Sequence, residues 1–194
     1  GGHQDTDAFC DLVYKNDDGV SYGETYREEN RENYNARVDS IYLPKANFLL
    51  EALSFVAENP LEMAVSDVGA GSGYFIAALN KQGIKKSMGY EISLSQVDFG
   101  NKILGRKQLA IMDSLSAIKK TKSEVVSMIG VLEHLQTPRD ILTAIRDNHS
   151  IRFVYLSLPL FSPSTFFEIA LPQIEPRQIA IPHTHLYTEK SLAW

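Results

Sequence analysis

The residues best placed to do chemistry fall into two groups. The first is Asp67-Val-Gly69-Ala-Gly71-Ser-Gly73, a glycine cluster that ends a short apolar run. Glycines at this spacing allow a tight turn with positive φ and let a ligand approach the backbone. A helix starting behind them would offer unpaired N–H groups. Glu91 lies 91 − 73 = 18 residues past Gly73, and Asp113 and Ser114 follow the next apolar run. A carboxylate at Glu91 can accept charge-assisted hydrogen bonds from both hydroxyls of a ribose. Asp113 is placed to accept from an adenine amino group, with the Ser114 amide beside it. The chemistry this predicts is the binding of an adenine nucleoside. A dinucleotide fingerprint needs its third glycine at position 74, where Tyr74 stands, and no Gly-Lys-Ser/Thr follows Gly71 as a Walker loop requires. A nicotinamide cofactor is therefore disfavoured.

The second group is His134, His183 and His185, three of five histidines. Each is a candidate general base for an oxygen nucleophile, whose pKa is too high for it to react unaided. His134, in Gly130-Val-Leu-Glu-His134, reads equally as a cap for the loop or helix that follows. His185, two residues before Tyr187, would share a face with it in an extended segment. Its alternative is a lid-loop histidine bonded to backbone.

Alternating elements must position these groups. From Tyr22 to Ala57 the apolar spacing is helical, with Pro44 expected to start a helix and Asn59-Pro60 to end it. Strands are predicted at Met63–Val68, Lys86–Glu91, Gln108–Met112, Val125–Ile129 and Ile151–Leu158. Helices are predicted at Gly73–Gln82, from Ser93 to Gly105, and from Thr137 to about Asn148. Strands alternating with helices give a doubly wound α/β domain, its sheet mostly parallel and covered by helices on both faces. The expected organisation is an acidic arm at 1–20, a helical lid at 21–59, and the α/β domain at 60–194. Within the last, 160–187 reads as a loop-rich insertion over the carboxyl edge of the strands. Phe161, Phe166 and Phe167 with Pro163 would wall an acceptor pocket there, or pack the insertion onto the fifth strand.

Composition removes several other classes. The chain has 194 residues, 44% hydrophobic and 22% charged, which suits one folded domain. Nineteen basic residues against 24 acidic give a net charge of −5, which argues against a nucleic-acid coat. Cys10 is the only cysteine, so neither an intrachain disulfide nor a multi-cysteine zinc site can form. No apolar run reaches the roughly 18–20 residues of a membrane span, and a cytoplasmic location is predicted. The start at Gly1-Gly2-His3 reads as processed or tag-derived. The end at Trp194 falls in what reads as the opening turn of a helix.

From Met63 to Leu158 this constellation resembles the class I S-adenosylmethionine-dependent methyltransferases. The Asp67–Gly73 loop with Glu91 carries the resemblance, and Gly130-Val-Leu-Glu-His134-Leu-Gln-Thr-Pro138 is similar to the post-strand-4 motif of the small-molecule branch. The resemblance implies a Rossmann-like sheet in order 3-2-1-4-5-7-6, of which five strands are visible and the last hairpin is missing or lies beyond Trp194. It implies S-adenosylmethionine as cofactor, held by Asp67, Gly69, Gly71, Gly73, Glu91, Asp113, Ser114 and Gly130. Tyr22, Tyr26, Tyr34 and Arg37 would fold over it, or the tyrosines would simply pack helices. The acceptor expected is a small, hydroxyl-bearing molecule, such as a sugar or polysaccharide precursor, with His134 and His185 as base candidates. Ubiquinone-pathway and small-RNA 3′-terminal methyltransferases bind a divalent ion with E-x-x-E-H. Here Glu133 and His134 are kept and later histidines are available, but Gly130 replaces the first glutamate, so no metal is predicted. A catalytically silent S-adenosylmethionine-binding module and a nicotinamide oxidoreductase remain as alternatives.

Overall fold

The computed structural model describes residues 30–171, 173 and 183–192. The acidic arm, Tyr22, Tyr26 and nearly all of 172–182 lie outside the described residues. Asn30 opens the first helix among the described residues by accepting the Asn33 N–H on its side chain at 2.8 Å. The helix then runs unbroken through α1 (Arg31–Arg37), a π turn (Val38–Tyr42) and α2 (Leu43–Ser54). Pro44 stands in the first turn of α2, as the sequence reading expects, although α2 continues the preceding π turn and does not open a separate helix. Its ring would collide with the carbonyl four residues back in a regular helix. The π turn immediately before it widens the spiral, so that the Leu43 N–H reaches Val38 O.

The rest alternates as predicted: β1 (Val65–Val68), α3 (Tyr74–Lys81), β2 (Ser87–Glu91), α4 (Leu94–Leu104), β3 (Leu109–Ile111), α5 (Ser114–Lys120), β4 (Val125–Ile129), α6 (Pro138–Asp147), β5 (Phe153–Ser157), α7 (Pro163–Ala170) and α8 (Glu189–Leu192). The five strands are all parallel, in order β3-β2-β1-β4-β5. That is the first five places of the order the resemblance implies. Two helices escape the sequence reading. α5 has seven residues behind a three-residue strand, too short for a periodic signal to stand out. α7 begins with Ser162-Pro163 inside a segment whose four prolines read as loop.

Side chains alternate between two cores. Val65, Val125, Phe153 and Tyr155 pack toward α1, α2 and α3, through Tyr34, Val38, Leu49, Leu53, Phe75 and Leu79. Val68, Val126, Met128 and Leu156 pack toward α5 and α6, through Ala117, Ile118, Ile141 and Ile145. Both sheet faces are thus covered, and the carboxyl edge is left to the loops that follow β1, β2, β4 and β5. Leu79 is fully buried in the first core. Leu79→Ala should cost about 2–5 kcal/mol of unfolding free energy in a denaturant titration, whereas a change under about 0.5 kcal/mol would mean that this face is loosely packed.

Candidate active site

The loop after β1 carries three glycines in the left-handed region, Gly69 (φ 73°), Gly71 (φ 53°) and Gly73 (φ 75°). At Gly69 a Cβ would meet Val131 Cγ2 at 2.4 Å, so the glycine lets this loop lie directly against the one following β4. At Gly71 the restriction is the backbone angle, since the nearest atom to a Cβ is the flexible end of Gln96, at 2.9 Å. Tyr34 is buried and donates its hydroxyl to Ser72 O at 3.0 Å, with its ring stacked on Tyr74. It props the loop from beneath, and Arg37 lies 5.1 Å over the Tyr74 ring.

Glu91 ends β2 and is held by three backbone donors. Oε2 accepts from Gly71 N at 2.9 Å, and Oε1 accepts from Ile92 N at 2.7 Å and Ser93 N at 3.1 Å. A carboxylate offers about four lone-pair sites, so it locks the glycine loop and still has capacity for a hydroxyl. Asp113 caps α5 by accepting the Ser116 N–H on Oδ1 at 2.8 Å, and that bond holds its pKa below the ordinary value. Ser114 begins the same helix. Asp113 therefore combines a cap, which the sequence reading did not assign, with its exposed place after β3.

Asp67 is buried in β1, beside Gly89 on one side and Ser127 on the other. Ser127 Oγ donates to Asp67 Oδ1 at 2.7 Å. Burial pushes its pKa up to about 7, the Ser127 bond opposing and the charge of Glu91 adding to the rise.

After β4, Gly130 turns with φ 67° and donates its N–H to Ser157 O at 2.8 Å, and Leu132–His134 forms a single 3₁₀ turn. The segment 183–188 is strapped onto this turn. Thr184 N and His185 N donate to Glu133 O at 2.8 and 3.1 Å, and Tyr187 donates its hydroxyl to Leu132 O at 3.2 Å. Burial and the Glu133 charge push Tyr187 up to about 12, so it anchors the strap and does not titrate near neutrality. A parallel bridge between Leu160 and Tyr187 ties the strap to the chain beyond β5.

Two consequences concern the histidines. Thr184 Oγ1 lies 2.9 Å from Glu133 O, 3.1 Å from Leu135 O and 2.9 Å from His185 Nδ1. Carbonyls only accept, so the single hydroxyl proton goes to them and His185 Nδ1 must be the donor to Thr184. Neutral His185 then carries its lone pair on Nε2. Separately, donor atoms of Glu133, His134 and His183 all lie within 4.8 Å of one another, with the two rings 4.8 Å apart. Glu133 is buried, and its Oε2 has no hydrogen-bond partner. The sequence reading singles out the histidines and notes Glu133 as the one carboxylate left of the E-x-x-E-H motif, but predicts no metal there. Only its burial against the strap distinguishes it from a surface glutamate. Among the described residues Phe161, Phe166 and Phe167 are exposed and belong to neither core.

A family model described as a methyltransferase domain matches residues 35–194, a wider span than the motifs alone cover. Among solved structures, a SAM-dependent methyltransferase from Archaeoglobus fulgidus is similar with a TM-score of 0.56 at 18% identity, over 90% of this chain and 71% of its own. The magnesium protoporphyrin IX methyltransferase ChlM from Synechocystis PCC 6803, with bound SAH, reaches 0.59 at 16% identity, over 87% of this chain and 77% of its own. At such identities these likenesses speak for the fold. No curated protein is similar enough in sequence to count as a relative. No helix among the described residues is long and apolar enough to cross a membrane.

The raised pKa of Asp67 sets the sign of a pH effect. Between its unfolded value of 3.8 and about 7, the unfolded chain releases a proton that the folded chain keeps. Stability contributed by the protonated carboxyl is therefore complete below about pH 4 and declines as pH rises to about 7. The difference amounts to roughly 4 kcal/mol at most. In melts from pH 4 to 8, Asp67→Asn should show a flatter Tm profile than the parent. Parallel profiles would mean that Asp67 is ionised in the folded state.

Proposed function

The chain belongs to the methyltransferase domain family, and on that premise we propose that it transfers a methyl group from S-adenosylmethionine to the hydroxyl of a small acceptor. The observation that carries the reading is the contact between the glycine loop at Gly69 and the post-β4 loop at Val131. It joins a nucleoside-binding half to a half that holds proton-accepting side chains.

The residues present fit the cofactor. Glycines at 69, 71 and 73 leave a cradle that any Cβ would strain, and Glu91 sits on its rim with a half-buried carboxylate. Glu91 would accept ribose hydroxyls, Asp113 would hold the adenine, and the Gly69–Gly73 backbone would hold the methionyl tail. When bound, S-adenosylmethionine supplies an electrophilic methyl carbon on a sulfonium, the S–C electron pair remaining on sulfur as the acceptor oxygen forms the new O–C bond. The protein's share is mainly position, holding that oxygen within about 3–3.5 Å of the methyl carbon. The proton of the hydroxyl passes to His185 Nε2, the nitrogen that Thr184 leaves with a lone pair.

The orphaned Glu133 Oε2 favours a second reading of the same loop. Glu133, His134 and His183 form a set of one carboxylate and two imidazoles, suited to a divalent ion of the Zn²⁺ or Mn²⁺ type. An ion there would acidify the acceptor hydroxyl directly and reduce the need for a histidine base.

Glu91→Ala should lower the affinity for S-adenosylhomocysteine about 10- to 150-fold in calorimetry, the equivalent of roughly 1.5–3 kcal/mol for bonds to a charged acceptor. An unchanged affinity would remove Glu91 from the ribose site. His185→Ala should cut turnover at least 10-fold and leave S-adenosylhomocysteine affinity unchanged. Turnover equal to the parent's would remove His185 as base. Loss of activity in EDTA with recovery on adding Mn²⁺ or Zn²⁺ would select the metal reading.

A further inference from the structure

We infer that Lys45 and Ser157 bind an anionic group of the acceptor, so that the substrate is a hydroxylated anion such as a sugar phosphate or a uronic acid. This rests on the methyl-transfer reading above and extends it to the acceptor's charge. Lys45 stands at the start of α2, next to Pro44 and just past the π turn. Its ammonium donates to Ser157 Oγ at 2.5 Å. Ser157 is the last residue of β5, and its carbonyl accepts from Gly130 N. The amine is thereby carried from the helical layer to the carboxyl edge of the sheet, beside the loop that holds Glu133 and His134. With strands about 4.8 Å apart, that places it roughly 5–10 Å from the post-β4 turn, about the span of a sugar ring and its substituent.

Three other cations that bond to side chains across the fold pair with carboxylates, and Arg106, which bonds the neutral amides of Asn80 and Gln108, is exposed where Lys45 is not. Lys81 pairs with Asp39, Lys86 with Glu62 and Arg152 with Glu124. Lys45 is half-buried, and among the described residues no carboxylate lies within 4 Å of it. A partly desolvated ammonium facing only a neutral hydroxyl lacks the counter-charge that buried ions ordinarily find. Ser157 Oγ spends a lone pair on Lys45, so its own proton points elsewhere and is free to donate. One ammonium and one hydroxyl proton side by side make a two-point receptor for a carboxylate or phosphate oxygen.

The test is calorimetry on the chain saturated with S-adenosylhomocysteine, titrated with glucose, glucuronate and glucose 1-phosphate. The expected result is binding of one or both anions at least 10-fold tighter than glucose, with the preference lost in Lys45→Met and weakened in Ser157→Ala. Whether glucuronate or glucose 1-phosphate binds more tightly tells a carboxylate from a phosphate acceptor. Lys45→Met should keep the parent's affinity for S-adenosylhomocysteine, which shows that the variant is folded. Equal binding of glucose and both anions, no binding of any probe, or an anion preference that survives in Lys45→Met would overturn the proposal. Failure of the parent to bind S-adenosylhomocysteine at all would instead overturn the methyl-transfer reading on which it rests.

Discussion

The chain can turn from β1 into α3 only where it carries no side chain. Gly69, Gly71 and Gly73 all take positive φ within five residues, and most of the site follows from that turn. Without a Cβ at 69 the loop closes on Val131, bringing the ends of β1 and β4 into contact. With the Gly71 N–H turned toward β2, Glu91 can reach across and hold the loop while keeping acceptor capacity at the rim. The buried Tyr34–Ser72 bond completes the support from the other side and links the N-terminal helix to the same five residues. A loop braced from three directions meets a ligand with little ordering left to do, the condition under which binding energy is least wasted.

The second half of the site depends on a different device. Residues 183–188 and the 3₁₀ turn after β4 are far apart in the chain. Each has backbone groups that the sheet does not satisfy. Thr184, His185 and Tyr187 meet that need by donating to the carbonyls of Leu132, Glu133 and Leu135. The strap also fixes histidine chemistry, because a hydroxyl already donating to carbonyls dictates which nitrogen of His185 bears the proton. It leaves Glu133 buried with one oxygen unsatisfied. A buried unpaired carboxylate oxygen is costly, and stability alone gives no reason to retain one beside two imidazoles.

The N-terminal helix adds a third contribution through a local irregularity. Pro44 inside a continuous helix demands relief, and the π turn at Val38–Tyr42 provides it. The same adjustment sets the start of α2, and with it the side from which Lys45 reaches Ser157. The Tyr34 support of the glycine loop, the Lys45–Ser157 bond and the path of the helix thus meet within one stretch of 24 residues, Arg31 to Ser54.

The order of the strands and of most helices was legible from the sequence because it rests on local rules: apolar runs between breakers, capping residues, and glycines where positive φ is needed. The positive-φ glycines of the loop and the place of Glu91 at the end of β2 were legible for the same reason. Asp113 was read half correctly; its place after β3 is local, but its capping of a seven-residue helix becomes evident only once that helix is folded. Pro44 holds the first-turn place that its local preference predicts, but the π turn that joins α2 to α1 could not be read locally. The burial of Glu133, the tautomer of His185 and the Lys45–Ser157 pair could not be read at all. Each depends on residues 49 or more positions apart, which the closing of the sheet and the docking of the strap bring within hydrogen-bond distance. Sequence by itself determined the glycine turn after β1, because that turn is made of consecutive residues. Tertiary structure alone decided which protons and charges surround the turn after β4, because those come from chain segments that meet only in the folded state.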